Sequence, residues 1–173
     1  MLYNIGGEKW GIVGEGGQVR QLKLGNVGNA TMFSGEYEHV LDEKGRLIIP
    51  AKFRPQLAEG LFITRGLDGC LFVFPPDTWR EVSQKISSLP LAHPGARLFS
   101  RMIFSGTECK LDRQGRILIP PPLRAHANIE NEVVITGVDS RLEIWSKKRW
   151  QEMTTKMEEE SSFIAEQLTN LGI

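Results

Sequence analysis

A ten-residue segment occurs twice in this chain, as LDEKGRLIIP at 41–50 and as LDRQGRILIP at 111–120, with six identical positions. The tripeptide FSG stands just before each copy, beginning at Phe33 and at Phe104. Behind each copy come two apolar runs separated by a turn, and then a tryptophan. The flanks repeat together with the decapeptide, which indicates one unit of about fifty residues used twice.

This duplication divides the chain into segments. We place the first repeat at 32–86 and the second at 104–157, joined by a connecting segment at 87–103. A unit of about fifty residues buries too little surface to be stable alone, so we expect the repeats to share one core. Residues 158–173 carry apolar residues at helical spacing and predict a helical tail. The strand and helix patterns together predict an α+β fold with short peripheral helices.

Each copy of the decapeptide predicts a tight hairpin turn. Asp42 and Asp112 stand at its first position, and Gly45 and Gly115 at its last, where the backbone requires a positive φ. The aspartate of such a turn accepts bonds from backbone N–H groups and can orient the arginine that follows the glycine. We therefore assign these four residues as organisers of the two turns.

The arginines after the two glycines, Arg46 and Arg116, are the candidate functional residues. A guanidinium held at a rigid hairpin suits guanine O6 and N7, or a phosphate, because its planar fork loses little entropy on binding. Lys44 and Gln114 stand beside them and add phosphate-seeking or base-edge groups. The alternative is that each Asp–Arg pair is only a salt bridge that stabilises its hairpin. With two copies in one chain, both interpretations stay open.

The charge of the chain bears on this choice. The net charge is zero, with 21 basic and 21 acidic residues, which argues against a nucleic-acid-binding protein. The distribution weakens that objection, because 108–124 carries four basic against two acidic residues while 152–166 carries five glutamates against one lysine. Local basic surfaces bind phosphate even when the global sum is zero. DNA binding is therefore compatible with the composition.

Other classes of function find less support. The three histidines and two cysteines lack triad or ligand spacing, and no glycine-rich nucleotide motif occurs, so we expect no enzyme, cofactor or metal. The best candidates for paired catalytic carboxylates are Asp42 and Asp112, which the turns already explain. No apolar run is long enough to span a membrane and no signal peptide is apparent. We therefore expect a cytoplasmic protein without a small-molecule substrate.

The duplicated Asp-x-x-Gly-Arg turn, with FSG before it and Ile-Pro after it, resembles the MraZ family of bacterial regulators. The resemblance covers 32–173. It implies a duplicated AbrB-like swapped-hairpin β-barrel in which the two repeats interlace. It also implies a nucleoid-associated, ring-shaped homo-oligomer that binds direct TGGG repeats in the promoter of its own operon, at the head of the division and cell-wall gene cluster. By position, the DNA-contacting arginines of the family fall on Arg46 and Arg116.

Residues 1–31 have no counterpart in that family and hold 8 of the 18 glycines. Their composition predicts a disordered extension, since glycine has a large ordering entropy and offers no side chain to bury. Their codons allow TGGG boxes that begin at nucleotides 28, 38 and 48, of which only the first, in Trp10-Gly11, is forced. A step of about ten base pairs places such boxes on one side of the duplex. We predict a translated operator with Met32 as the natural start; the alternative is a glycine-rich arm.

Two functions therefore remain in competition. The first is a sequence-specific DNA-binding transcriptional regulator. The second is a non-enzymatic, ring-shaped scaffold or partner-binding protein, which the neutral charge and the one-sided apolar stripe after Trp150 support. A steep loss of DNA affinity with rising salt separates the two, because contacts to phosphate release counterions.

Overall fold

The computed structural model describes residues 2–4, 10–13, 19–21 and 32–170. The chain divides into two compact units, Met1–Thr31 and Met32–Ile173. The first unit contains three short antiparallel strands in the order β1 (Leu2–Asn4), β2 (Trp10–Val13) and β3 (Val19–Gln21).

These three strands differ from the expectation for the glycine-rich segment, whose composition predicts none. Six of their ten residues are aromatic or aliphatic, and residues of these types are common in strands. The rest of residues 1–31 lies outside the described residues. The disordered extension and the start at Met32 therefore stay predictions.

The second unit combines strands and helices. Its strands are β4 (Phe33–Val40), β5 (Arg46–Ile48), β6 (Leu61–Arg65), β7 (Leu71–Phe74), β8 (Thr107–Cys109), β9 (Arg116–Leu118), β10 (Glu132–Asp139) and β11 (Arg141–Ser146). Its helices are α1 (Pro76–Ser87), α2 (Pro94–Ile103), α3 (Pro121–His126), α4 (Lys147–Glu159) and α5 (Ser161–Asn170), with 3-10 helices at Ala51–Leu57 and Leu67–Gly69. This content confirms the α+β class and the helical C-terminal segment.

The pairing of the strands interlaces the two repeats. Six antiparallel strands form a sheet in the order β4-β10-β11-β7-β6-β8, and β5 pairs with β9 in a separate two-stranded ribbon. The first strand of each repeat pairs with a strand of the other repeat, β4 with β10 and β8 with β6. Neither repeat completes a sheet from its own strands, so strands are exchanged between the repeats and the two repeats form one fold.

One hydrophobic core serves both repeats, as their small size predicts. The inner face of the ribbon contributes Leu47 and Ile117, which are fully or almost fully buried. They pack in one cluster with sheet residues such as Ile63 and Val133. Each fully buried aliphatic side chain contributes about 1.5–3 kcal/mol. Burial therefore fixes the ribbon on the sheet and leaves the other face of the ribbon to solvent.

Aromatic contacts attach helices to the sheet. The ring of Trp79 in α1 stacks on Phe62 of β6 with centroids 3.7 Å apart. In the second repeat the ring centroid of Trp150 in α4 lies 5.7 Å from that of Trp145, near the end of β11. Stacked and tilted rings of this kind bury large apolar areas. The tryptophan that closes each repeat therefore anchors its helix.

Among the described residues no helix is long and apolar enough to cross a bilayer.

Candidate nucleic-acid interface

The first repeated segment forms the predicted turn. The Oδ1 atom of Asp42 accepts bonds from the backbone N–H groups of Lys44 and Arg46, both at 2.9 Å. The backbone N–H of Gly45 donates to the carbonyl oxygen of Asp42 at 2.8 Å, and this glycine has a φ of +75°. The left-handed conformation there is costly for residues with a Cβ. The hydrogen bonds to Asp42 and the positive φ of Gly45 therefore define the geometry of this turn.

The second repeated segment adopts the same geometry. The Oδ1 atom of Asp112 accepts bonds from the backbone N–H groups of Gln114 at 2.8 Å and Arg116 at 3.0 Å. Gly115 has a φ of +76°. The side chains of Lys44 and Gln114 are exposed at equivalent positions of the two turns. Each turn therefore presents two long polar side chains to solvent beside its arginine, Glu43 and Lys44 in the first turn and Arg113 and Gln114 in the second.

Each arginine is oriented by the aspartate of its own turn. The Nε atom of Arg46 donates to Asp42 Oδ2 at 2.7 Å, and that of Arg116 donates to Asp112 Oδ2 at 2.8 Å. The backbone N–H of Arg46 is the main reason why the pKa of Asp42 is lowered, while the bond from the Arg116 side chain holds the pKa of Asp112 at about 2. Both carboxylates are therefore ionised near neutral pH, which does not suit a general acid.

The ribbon brings the two turns together. Arg46 pairs with Leu118, and Ile48 with Arg116. The Nη1 atom of Arg116 lies 3.8 Å from Asp42 Oδ2, so the carboxylate of the first turn faces both arginines. Asp42, Arg46 and Arg116 therefore lie close together at the ribbon.

Two further arginines pack against the turns. An ideal Cβ added to Gly45 would lie 3.0 Å from the guanidinium carbon of Arg124, and one added to Gly115 would overlap the side chain of Arg54. Each arginine belongs to the repeat opposite to the glycine that it contacts. The Nε atom of Arg54 donates to the carbonyl oxygen of Ile49 at 2.8 Å. Hydrogen bonding and packing thus place two more cations beside the turns.

The sequence pattern alone did not identify Arg54 and Arg124 as part of the site. A signal is present, because each is the fourth residue after the proline that ends its decapeptide, Pro50 or Pro120. The exchange between repeats, which only the fold reveals, is what brings each of them to the other turn.

The structure offers no support for a metal site or a reactive thiol in the part of the chain that it describes. No group of three or more metal-ligating side chains occurs among those residues. Cys70 and Cys109 are free thiols. Burial raises the pKa of both, that of Cys109 to about 11, so both stay protonated at neutral pH.

Known proteins share this duplicated architecture in sequence. Residues 32–102 and 102–171 each match the family model described as "MraZ protein, putative antitoxin-like". A protein of Moorella thermoacetica named transcriptional regulator MraZ is 51% identical over 143 residues, which cover 82% of this chain and 100% of the relative. Proteins of the same name from Herpetosiphon aurantiacus and Caldanaerobacter subterraneus subsp. tengcongensis are 50% and 49% identical over the same shares. The chain belongs to the MraZ family.

Proposed function

We propose that this protein is a DNA-binding transcriptional regulator that contacts DNA through its two Asp-x-x-Gly-Arg turns. The observation that carries the proposal is the joint placement of Arg46 and Arg116 on one face of the ribbon, each with its Nε atom held by an aspartate. The name of the relatives, transcriptional regulator, supports the same function.

The geometry suits the edge of a guanine. The major groove admits a two-stranded ribbon, and an arginine binds O6 and N7 of guanine with two parallel bonds. The side chain of Arg46 is 33% exposed and that of Arg116 is 22% exposed, and Arg116 has a second carboxylate beside it, because its Nη1 atom lies 3.8 Å from Asp42 Oδ2. We infer that Arg46 makes the stronger base contact. Lys44 and Gln114 then contact phosphates or neighbouring bases.

We further propose that the targets are direct TGGG repeats in the promoter of the protein's own operon, within the division and cell-wall gene cluster. One subunit presents only short tips and no net charge, so tight binding needs several tips on one duplex. We propose a ring-shaped homo-oligomer. Exposed apolar side chains near the C-terminus, Met157, Phe163 and Leu168, are candidates for contacts between subunits. The protein would then act in the cytoplasm, associated with the nucleoid.

We also propose that the codons of residues 1–31 are operator DNA that is translated in this chain, and that Met32 is the natural start. Two findings support it: the family matches begin at residue 32, and the relatives' full length aligns with 82% of this chain. The codons of Trp10-Gly11 require one TGGG box, and Val13-Gly14 and Gly16-Gly17 allow two more at steps of about ten bases. A regulator bound there would control transcription of its own gene.

The test of the DNA-binding function compares matched arginine variants on a duplex with three TGGG boxes. We expect Arg46→Ala to reduce the binding free energy by about 1–3 kcal/mol for each base contact removed, and Arg116→Ala to add to the loss. Arg80→Ala is the control, because Arg80 lies on α1 in an exposed pair with Asp77. Gel shifts at several salt concentrations should also show a shallower salt dependence for the arginine variants. Unchanged binding by the double variant would exclude the turns as the DNA contact.

The scaffold remains the second candidate function, and the exposed apolar residues of α5 favour it. A scaffold of this kind would keep its oligomeric mass in light scattering while binding neither one nor three boxes. A regulator should bind three boxes far more tightly than one, because linked binding events on one duplex raise the apparent affinity.

A further inference from the structure

The outer face of the ribbon carries two aliphatic side chains in addition to its arginines. Ile48 is 41% exposed and Leu118 is 55% exposed, whereas Leu47 and Ile117 are 0% and 1% exposed. Side chains alternate between the two faces of a strand. The exposed pair therefore points away from the core and shares its face with the two arginines.

The register places each of these aliphatic residues directly opposite an arginine. Arg46 pairs with Leu118, and Arg116 pairs with Ile48. Residues directly opposite each other on antiparallel strands have Cβ atoms about 4.5–5.5 Å apart. Successive bases along one DNA strand are about 3.4 Å apart. An aliphatic side chain thus lies within reach of the base next to the one that its arginine contacts.

A single exposed aliphatic side chain needs no explanation, because such residues are common on protein surfaces. Here the arrangement occurs in both repeats, since Ile48 and Leu118 each stand two positions after the arginine of their turn. Packing does not require a large apolar residue at either position, because both side chains point outward. The repetition instead links an aliphatic side chain to the function of each arginine.

We propose that Ile48 and Leu118 contact the C5-methyl groups of thymines that lie beside the guanines bound by Arg46 and Arg116. This inference rests on the proposed DNA-binding function and adds a second base to the recognition. Thymine is the base that presents a methyl group in the major groove, where apolar side chains contact it. Contact removes both apolar surfaces from water, which favours the complex.

The charges on the ribbon favour a DNA duplex over a second copy of the chain as the occupant of this face. Each aliphatic residue has a guanidinium as its cross-strand neighbour. A symmetric contact between two copies would place these arginines against each other, and the burial of like charges is costly. A polyanionic duplex instead pairs with the same arginines.

The experiment uses the full chain and two versions of a duplex with three TGGG boxes. One version contains thymine in the boxes, and the other contains deoxyuridine, which lacks only the methyl group. Fluorescence anisotropy should show that the wild type binds the deoxyuridine duplex about fourfold more weakly for each methyl group removed from the interface, the scale expected for one buried methyl group. A third duplex, with deoxyuridine only outside the boxes, should bind as the thymine duplex does.

Variants assign the effect to these residues. The double variant Ile48→Ala/Leu118→Ala should bind the thymine duplex more weakly and should not distinguish it from the deoxyuridine duplex. Leu91→Ala is the matched control, since Leu91 is 79% exposed and lies outside the ribbon; it should retain the discrimination. Thermal unfolding checks the fold of each variant. The affinities of the wild-type protein for the two duplexes decide the question even if a variant folds poorly.

The outcomes separate this inference from the function on which it rests. Equal binding of both duplexes by the wild type, with binding still weakened in Arg46→Ala, overturns the methyl contact and leaves the DNA-binding function intact. No binding of either duplex by the wild type overturns both. A changed oligomeric mass in the Ile48→Ala/Leu118→Ala variant, with its preference for thymine retained, would assign the pair to a subunit interface and also overturn the proposal.

Discussion

The Nη1 atom of Arg116 lies 3.8 Å from the Oδ2 atom of Asp42, and this contact joins the turn of the second repeat to that of the first. Asp42 also holds the Nε atom of Arg46 at 2.7 Å. One carboxylate therefore influences the position of both guanidinium groups. Asp112, in contrast, contacts only the arginine of its own turn among the ion pairs of the described residues. The two turns are thus coupled, and the coupling is not symmetric.

We expect Asp42→Asn to impair specific DNA binding more than Asp112→Asn does. About tenfold in affinity is the scale for one misplaced arginine–guanine contact. Removal of a carboxylate alone also favours non-specific binding, so the quantity to measure is the ratio of affinities for box-containing and unrelated duplexes. Asp77→Asn, at an exposed ion pair on α1, is the control. Equal losses for the two turn aspartates would contradict the asymmetry.

The ionisation of Asp112 should depend on Arg116. In the folded protein the pKa of Asp112 is lowered from 3.8 to about 2, chiefly by the hydrogen bond from the Arg116 side chain and next by the backbone N–H of Arg116. Because this pKa is depressed by folding, the ionised carboxylate stabilises the fold above about pH 3.8, and this stabilisation is lost as the pH falls towards 2. Carboxyl chemical shifts followed by NMR should show the low pKa in the wild type and in Arg80→Ala, and a higher one in Arg116→Ala. A pKa unaffected by Arg116→Ala would exclude this cause.

Substitution of the turn glycines by alanine should lower the free energy of unfolding. Gly45→Ala forces a left-handed conformation that costs about 1–2 kcal/mol for a residue with a Cβ. Gly115→Ala should destabilise more, since its Cβ would also displace the side chain of Arg54. Gly95→Ala, in α2 and without a positive φ, brings a Cβ to 3.1 Å from the His93 ring and should destabilise less than either turn substitution. Urea unfolding measures all three, and a Gly115→Ala protein as stable as Gly95→Ala would contradict the geometry.

Local chemistry explains which elements could be predicted from the sequence. The spacing of Asp42 and Gly45 specifies a turn whose hydrogen bonds lie within five residues, and the structure has these bonds. Pro76 at the start of α1 is a similarly local signal. Leu89 continues the apolar spacing of that helix in the sequence, but α1 ends at Ser87. Short-range patterns thus indicate the type of an element better than the residue at which it ends.

Long-range pairing explains what the sequence did not reveal. Phe33 and Phe104 occupy equivalent positions in the two FSG tripeptides, yet Phe33 is 3% exposed and Phe104 is 45% exposed. Phe33 opens the eight-residue strand β4, whereas Phe104 caps α2 before the three-residue strand β8. Which strand pairs with which depends on packing between distant segments. The approach of Arg54 and Arg124 to the opposite turns follows from the same pairing.

The gene itself tests the proposed origin of residues 1–31. We expect GTG at the codon for Val13 and GGT-GGG at Gly16-Gly17, which place TGGG boxes at regular steps within the coding sequence. A chain that starts at Met32 should keep the stability, oligomeric mass and DNA affinity of the full chain. Other codons at these positions would remove the operator, and a large loss of stability on truncation would show that the segment belongs to the fold.

Protection of guanine N7 from methylation by dimethyl sulfate tests DNA recognition by the paired turns most directly, because N7 is one of the two atoms that an arginine binds in the major groove. With a duplex of three TGGG boxes, we expect the wild type and Arg80→Ala to protect the box guanines. Protection should decrease with Arg46→Ala and disappear with Arg46→Ala/Arg116→Ala at concentrations where residual complex still forms. Full protection of the same guanines by the double variant would contradict DNA recognition by the paired turns.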